Sequence, residues 1–299
     1  MRKLSIKLVF LSLISVFLIS GTIFVLMPTQ LRSKVQNKTV RVWENFYTRN
    51  LKQEIDARRT VMQKFYNSGD KSGSNALIAH GGGIGRFTYT NCQEGVLDAL
   101  ARGFTFIELD LQKTKDDKIV ALHDWHDFAQ LTGKQVDEVQ RMSLHELKQL
   151  KIQGKYTVLG GEDIKRLMQQ YPQFVLVTDK LQDFGLILRE IPYPERMIVE
   201  TFGKYNYLKA LRAGIIYPAY STWSDTREIE KYQFPIVVMA AHAMNDEANA
   251  DKVKLLHENK ITILMHWAEI CDKPDFINQH LGSSISKIYT DAWAPAHQK

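Results

Sequence analysis

The chain has 299 residues, of which 44% are hydrophobic, enough for one large core and against intrinsic disorder. Its formal net charge of +6 suits an anionic partner, but the basic residues crowd between Arg32 and Arg59 rather than in the later, motif-bearing part, which points to a membrane-proximal stretch and away from nucleic acid. Two cysteines, Cys92 and Cys271, exclude a disulfide framework and a cysteine-rich zinc site; they read as free thiols, with pairing open only in an oxidising compartment.

From Leu8 to Met27 the chain runs twenty residues without a charge, a length that spans a hydrocarbon core of about 30 Å as a helix. Pro28 ends the run and no small-residue cleavage pattern follows, so residues 1–30 are expected to form an uncleaved, single-pass transmembrane anchor. Basic residues flank both ends, and the positive-inside rule does not decide the orientation. A short charged leader usually stays inside, which puts the rest of the chain outside the cytoplasm. In residues 31–74, Val40, Trp43, Tyr47, Leu51 and Ile55 recur at spacings of three and four and draw one face of an amphipathic helix. That face packs on the next domain or lies on an anionic membrane surface. Asn67 to Ser74, NSGDKSGS, reads as a turn-rich linker.

Residues 75–299 alternate short β-like runs with helical stretches: ALIAH, FTFIELDL, IVALHD, FVLVTDK, RMIVET, IIYPAYST, PIVVMAA, ITILMH and KIYTDAW. The rhythm predicts an α/β fold, a (β/α)8 TIM barrel in one domain. Nine runs are one too many, and PIVVMAA is the first choice for a peripheral strand. Only twelve residues separate Asp110 from His123, enough for an extended descent and return but not for a helical crossover. A turn at Thr114 to Asp117 then brings Asp110 and His123 to the C-terminal face of the sheet, where barrel active sites sit.

Polar residues gather where these strands end: His80, Glu108 with Asp110, His123 with Asp124, and Asp179 with Lys180. Buried there, such groups are costly unless paired or bound to a metal. Period-two alternation turns Glu108 and Asp110 to one side and Leu109 to the other. Two carboxylates so close repel, and a hard cation with oxygen ligands relieves that repulsion; Asp179 is the natural third ligand. His266, Glu200 and Trp293 also stand at strand ends and are weaker candidates for the pocket wall. His126, His145, His242, His257 and His280 carry no motif and are assigned to surface or structural roles.

These residues resemble the glycerophosphodiester phosphodiesterases from His80 to the C-terminus. That family opens with a His in an H-R-G run, then an E-x-D strand, then T-x-D-G-x-x-V-x-x-H-D; here the counterparts are HGGG and IELDLQKTKDDKIVALHD. SLHELKQL, Ser143 to Leu150, and KIYTDAW, Lys287 to Trp293, are similar to family stretches too. The resemblance implies a metal-dependent phosphoric diester hydrolase with one divalent cation, Mg²⁺ or Ca²⁺, on Glu108 and Asp110, and an acid/base pair in His80 and His123. The third family ligand is usually a Glu in an E-x-K run; VTDK offers Asp179 as ligand and Lys180 as a phosphate contact. The family's Arg after the first His is Gly81 here. Arg86, or backbone N–H groups of Gly81, Gly82 and Gly83, are then the substitutes for phosphate binding. YTNCQEG is similar to a glycine-rich variant of the family and adds Asn91 and Glu94 as site candidates, against helix capping. Trp293 would be an apolar wall.

The implied reaction is attack by a neighbouring glycerol hydroxyl, giving a cyclic phosphate that water opens to sn-glycerol 3-phosphate, with an alcohol released. The pattern does not order the histidines; the working assignment is His80 as acid and His123 as base. Two rivals remain: a membrane phospholipase of C or D type acting on phosphoinositide or lysophospholipid, and a catalytically inactive, membrane-tethered binding protein.

Overall fold

A computed structural model of the chain describes residues 44–65 and 76–295. The anchor expected at residues 8–27, Val40 and Trp43 of the amphipathic stripe, and the linker at 67–74 lie outside the described residues. No helix among the described residues is long and apolar enough to cross a membrane. The chain divides into two compact units, residues 1–49 and 50–299.

The second unit is built on a closed ring of parallel strands. In ring order these are β1 (Leu77–Ala79), β11 (Lys287–Thr290), β10 (Thr262–His266), β9 (Ile236–Ala240), β8 (Tyr217–Thr222), β7 (Met197–Phe202), β6 (Val175–Asp179) and β2 (Phe106–Lys113), and β2 pairs with β1 to close the barrel. Helices such as Gln93–Ala101, Gly161–Gln170, Gly203–Ala213 and Glu247–Glu258 cover its outside. β4 (Lys151–Ile152) and β5 (Tyr156–Thr157) form a small antiparallel ribbon.

The peripheral ninth run is β3 (Ile119–Ala121), which folds back antiparallel on β2 with Leu111 opposite Ala121 and Lys113 opposite Ile119. Its turn is the expected one: the Thr114 N–H donates to the Lys118 carbonyl at 2.9 Å. PIVVMAA, expected to be peripheral, is instead the barrel strand β9, parallel between β8 and β10 and buried throughout. The reason is twofold. An unbroken apolar run is what a strand covered on both faces requires. Pro235 stands just ahead of the first strand residue, where it interrupts no ladder and its carbonyl still accepts from the Thr262 N–H.

Alternation along the strands sorts the core into two shells. Ile78, Phe106, Val177, Ile198, Val238 and Leu264 fill the barrel interior, while Ile107, Leu109, Leu176, Val199 and Ile263 meet the helices. Lys287 is an exception, fully buried at the start of β11 with its ammonium 4.2 Å from the Phe106 ring centre; burial pushes its pKa down to about 7. A third cluster, including Cys92, Val120, Phe128 and Leu147, lies beneath the insertion that follows β3.

Helix Leu51–Met62 belongs to the barrel unit. Its Leu51 and Ile55 are buried, Tyr207 Oη donates to Met62 Sδ at 3.8 Å, and Arg59 donates to the Gln233 carbonyl at 2.8 Å. Leu51 and Ile55 thus pack inward. Cys92 and Cys271 are separate buried thiols.

Candidate active site

The C-terminal ends of the strands surround a cavity of about 510 Å³. The β2–β3 hairpin explains part of its content, because turning back without a helix returns the chain to the same face. Glu108 and Asp110 therefore share a wall with His123, and Asp110 is in register with Asp179 on β6.

Glu108, Asp110 and Asp179 each bring a carboxylate oxygen within 4.8 Å of the others. Glu108 and Asp110 are 3% and 4% exposed. Burial, followed by the neighbouring Asp110 charge, pushes both the Glu108 and Asp179 carboxyls well above the usual carboxylate range. Part of the cluster is tied down: the Gly81 N–H donates to Glu108 Oε2 at 2.8 Å, and Asn91 Nδ2 donates to Asp110 Oδ2 at 2.9 Å. Asp179 Oδ1, by contrast, is buried with no hydrogen-bond partner. Three converging oxygen donors, mutual repulsion and one orphaned oxygen fit a hard divalent cation. Lys180 approaches Asp110 Oδ1 at 3.6 Å and Asp179 Oδ2 at 3.5 Å. Burial opposes its charge, but these carboxylates outweigh that and hold its pKa above the ordinary value.

Each candidate acid/base histidine has a carboxylate behind it. His80 Nδ1 lies 3.0 Å from Asp291 Oδ1, and His123 Nδ1 lies 2.7 Å from Asp127 Oδ2. A carboxylate only accepts, so Nδ1 carries the hydrogen in both rings and Nε2 is left to exchange a proton. Asp291 is itself held, its N–H donating to Asp272 Oδ2 at 3.0 Å and its carbonyl accepting from the Gly85 N–H at 2.7 Å. Asp127 sits in the first turn of helix Trp125–Thr132, which Asp124 caps.

Tyr89 stands between the histidines, its ring edge-on to both. Burial and then the Asp291 charge push its phenol up to about 12, so it stays a neutral donor. Glu200 and His266, weaker candidates from the sequence, also line the cavity. Tyr289 donates to Glu200 Oε1 at 2.5 Å, and burial leads the rise of the Glu200 carboxyl to about 7. Burial lowers His266 to about 4. Trp223, Trp267 and Phe202 add an aromatic part to the cavity wall.

Five sequence candidates for substrate contact stand outside the cavity wall. Arg86 is exposed and its guanidinium lies over the Phe87 ring at 4.8 Å. Gly82 is buried at φ +84 against Asn91, and two of the three N–H groups of the glycine run are spent inside the protein, Gly81 on Glu108 and Gly83 on the His80 carbonyl. Asn91 is fully buried and holds Asp110 from behind. Glu94 accepts from the Thr157 N–H and hydroxyl, both at 2.8 Å. Trp293 turns away, donating from Nε1 to the Asp272 carbonyl at 2.8 Å. Asp127, Asp291 and Tyr89 were not singled out. Each had a local signal: Asp127 stands four residues after His123 at a helix start, Asp291 lies within KIYTDAW, and Tyr89 opens YTNCQEG.

The chain matches the family model described as "Glycerophosphoryl diester phosphodiesterase family" over residues 80–259. No curated protein matches the chain by sequence. Among solved structures, a glycerophosphoryl diester phosphodiesterase from Parabacteroides distasonis is similar with a TM-score of 0.59 at 17% identity, covering 79% of this chain and 88% of that one. A glycerophosphodiester phosphodiesterase from Thermotoga maritima has a TM-score of 0.59 at 21% identity, covering 72% and 94%. An Oleispira antarctica phosphodiesterase in complex with the product sn-glycerol-3-phosphate has a TM-score of 0.59 at 14% identity, covering 72% and 92%.

Proposed function

The chain belongs to the glycerophosphoryl diester phosphodiesterase family, and on that premise we propose that it hydrolyses a glycerophosphodiester to sn-glycerol 3-phosphate and an alcohol. The observation that carries the proposal is that two histidines, each backed by an aspartate, line one cavity together with a three-carboxylate cluster. Binding alone would not need paired proton carriers, so the inactive-binder reading gives way to an enzyme.

Glu108, Asp110 and Asp179 would hold the divalent cation, Mg²⁺ or Ca²⁺, which when bound supplies positive charge to a phosphoryl oxygen. Lys180 adds a positive charge at the rim of that cluster. His123, oriented by Asp127, takes the proton of the attacking glycerol hydroxyl at Nε2. His80, oriented by Asp291, gives its Nε2 proton to the departing alkoxide. With the proton inventory reversed, the same pair serves water in opening a cyclic phosphate. Assaying glycerophosphocholine, glycerophosphoethanolamine, lysophospholipid and phosphoinositide with added Mg²⁺ or Ca²⁺ tests this; turnover of none of the glycerophosphodiesters would refute it. A second reading, a phospholipase of C or D type, draws on the aromatic rim, where Phe202 and Trp223 are 47% and 65% exposed. Preference for the lipid members of the panel would favour it.

The charge-free run at residues 8–27 supports an uncleaved anchor, and the short charged leader before it supports a barrel outside the cytoplasm. Protein that washes off native membranes with carbonate, or that begins after Met27, would refute the anchor.

A further inference from the structure

Tyr89 lies in a place that no regular element provides. Its φ of +58 is left-handed, a conformation that costs a residue with a Cβ about 1–2 kcal/mol, and Asn91 two residues on has φ +51. The loop is held regardless. The Asn91 N–H donates to the Gly81 carbonyl at 2.9 Å, and the Thr90 N–H and hydroxyl both donate to the Phe87 carbonyl at 3.0 and 2.6 Å. Gly81 is what permits the approach, because a Cβ there would lie 2.7 Å from both Cα and N of Tyr89. A side chain directly after His80 and this path of the backbone through residue 89 are thus alternatives in the same space.

The strain delivers one ring to one spot. Tyr89 meets His80 at 4.7 Å and His123 at 5.5 Å between ring centres, and it is 42% exposed and lines the cavity. A phosphodiester set between these histidines and against the three-carboxylate cluster must turn anionic oxygens toward that gap. The described wall holds a single lysine and no arginine, and Lys180 already faces Asp110 and Asp179. Carboxylates predominate on that wall, which also carries Glu200, Glu269 and Asp291. A neutral phenol can meet a phosphoryl oxygen there as donor and needs no counter-charge.

We propose that Tyr89 is a catalytic residue whose hydroxyl donates a hydrogen bond to a non-bridging phosphoryl oxygen of the bound diester, in the gap between His80 and His123. The assignment rests on the hydrolase reading above.

Tyr89→Phe keeps the ring and both edge contacts and removes only the donor. With saturating Mg²⁺, kcat on the glycerophosphodiester best turned over by the wild type should fall about 10²-fold. The pH profile should keep its shape, since both histidines are untouched. The affinity for sn-glycerol 3-phosphate, titrated calorimetrically into the same full-length protein, should weaken about tenfold, as expected for about 1.4 kcal/mol. Wild-type kcat together with wild-type affinity for sn-glycerol 3-phosphate would overturn the inference and leave the hydrolase reading standing. A loss of activity accompanied by a fallen unfolding midpoint would mark a structural role and overturn it too. Wild-type protein that neither hydrolyses a glycerophosphodiester nor binds sn-glycerol 3-phosphate would overturn the hydrolase reading and this inference with it.

Discussion

Asn91 offers the sharpest test of how the carboxylate cluster is held. It is fully buried and meets Asp110 twice: Nδ2 donates to Asp110 Oδ2 at 2.9 Å, and Oδ1 accepts from the Asp110 N–H at 2.9 Å. Because its φ is +51, replacement by alanine would add backbone strain, whereas Asn91→Gly removes the side chain without it. The bond to a charged carboxylate is worth about 1.5–3 kcal/mol, and stranding a buried N–H costs about 1–3 kcal/mol. Together they amount to about 2.5–6 kcal/mol, which for a domain of this size lowers the unfolding temperature by roughly 5–20 °C. Losing a partner that orients a ligand also weakens metal binding by about 10–100-fold. Calorimetric titration of Mg²⁺ or Ca²⁺ into Asn91→Gly, beside a thermal melt, reads both effects. A variant that melts early but binds the cation as the wild type does would refute the positioning role. One unchanged in both would refute the bonding itself.

Thorough chelation should abolish turnover and lower the unfolding midpoint, with Mg²⁺ or Ca²⁺ restoring both; activity that survives EDTA would remove the carboxylate cluster from the mechanism. His80→Ala and His123→Ala should each lose about 10²–10⁴ in kcat with folding intact, while exposed His145→Ala should change little. A p-nitrophenyl diester needs less help from an acid, so it should rescue His80→Ala more than His123→Ala; the reverse would exchange their roles. Lys287 has a folded pKa of about 7 against an ordinary 10.5, so the unfolded chain binds the extra proton between those values. Stability should therefore be greatest above the unfolded pKa and fall as pH drops toward 7. Lys287→Met should flatten that slope in urea titrations from pH 7 to 10, and an unchanged slope would assign it to other groups.

Much of the cluster was legible because it depends on short-range rules. Period-two facing put Glu108 and Asp110 together, and the short Asp110-to-His123 interval required a hairpin, which the β2–β3 pairing realises. The same rules failed for PIVVMAA, since a hydrophobic run cannot say whether it lies at the edge of a sheet or within a ring. Nor do such rules give the direction of a side chain: Arg86 lies over the Phe87 ring, Glu94 accepts from Thr157 and Trp293 donates to the Asp272 carbonyl.

The sequence by itself determined the strand rhythm, the acidic and histidine strand ends and the resemblance to a phosphodiesterase family, all of which are local patterns of spacing and residue type. Only the tertiary structure decided which carboxylate stands behind each histidine and that Tyr89 stands between them. His80 and Asp291 are separated by 211 positions and meet because β1 pairs with β11 as the ring closes. Closure is a property of all eight strands at once, and no window along the chain contains it.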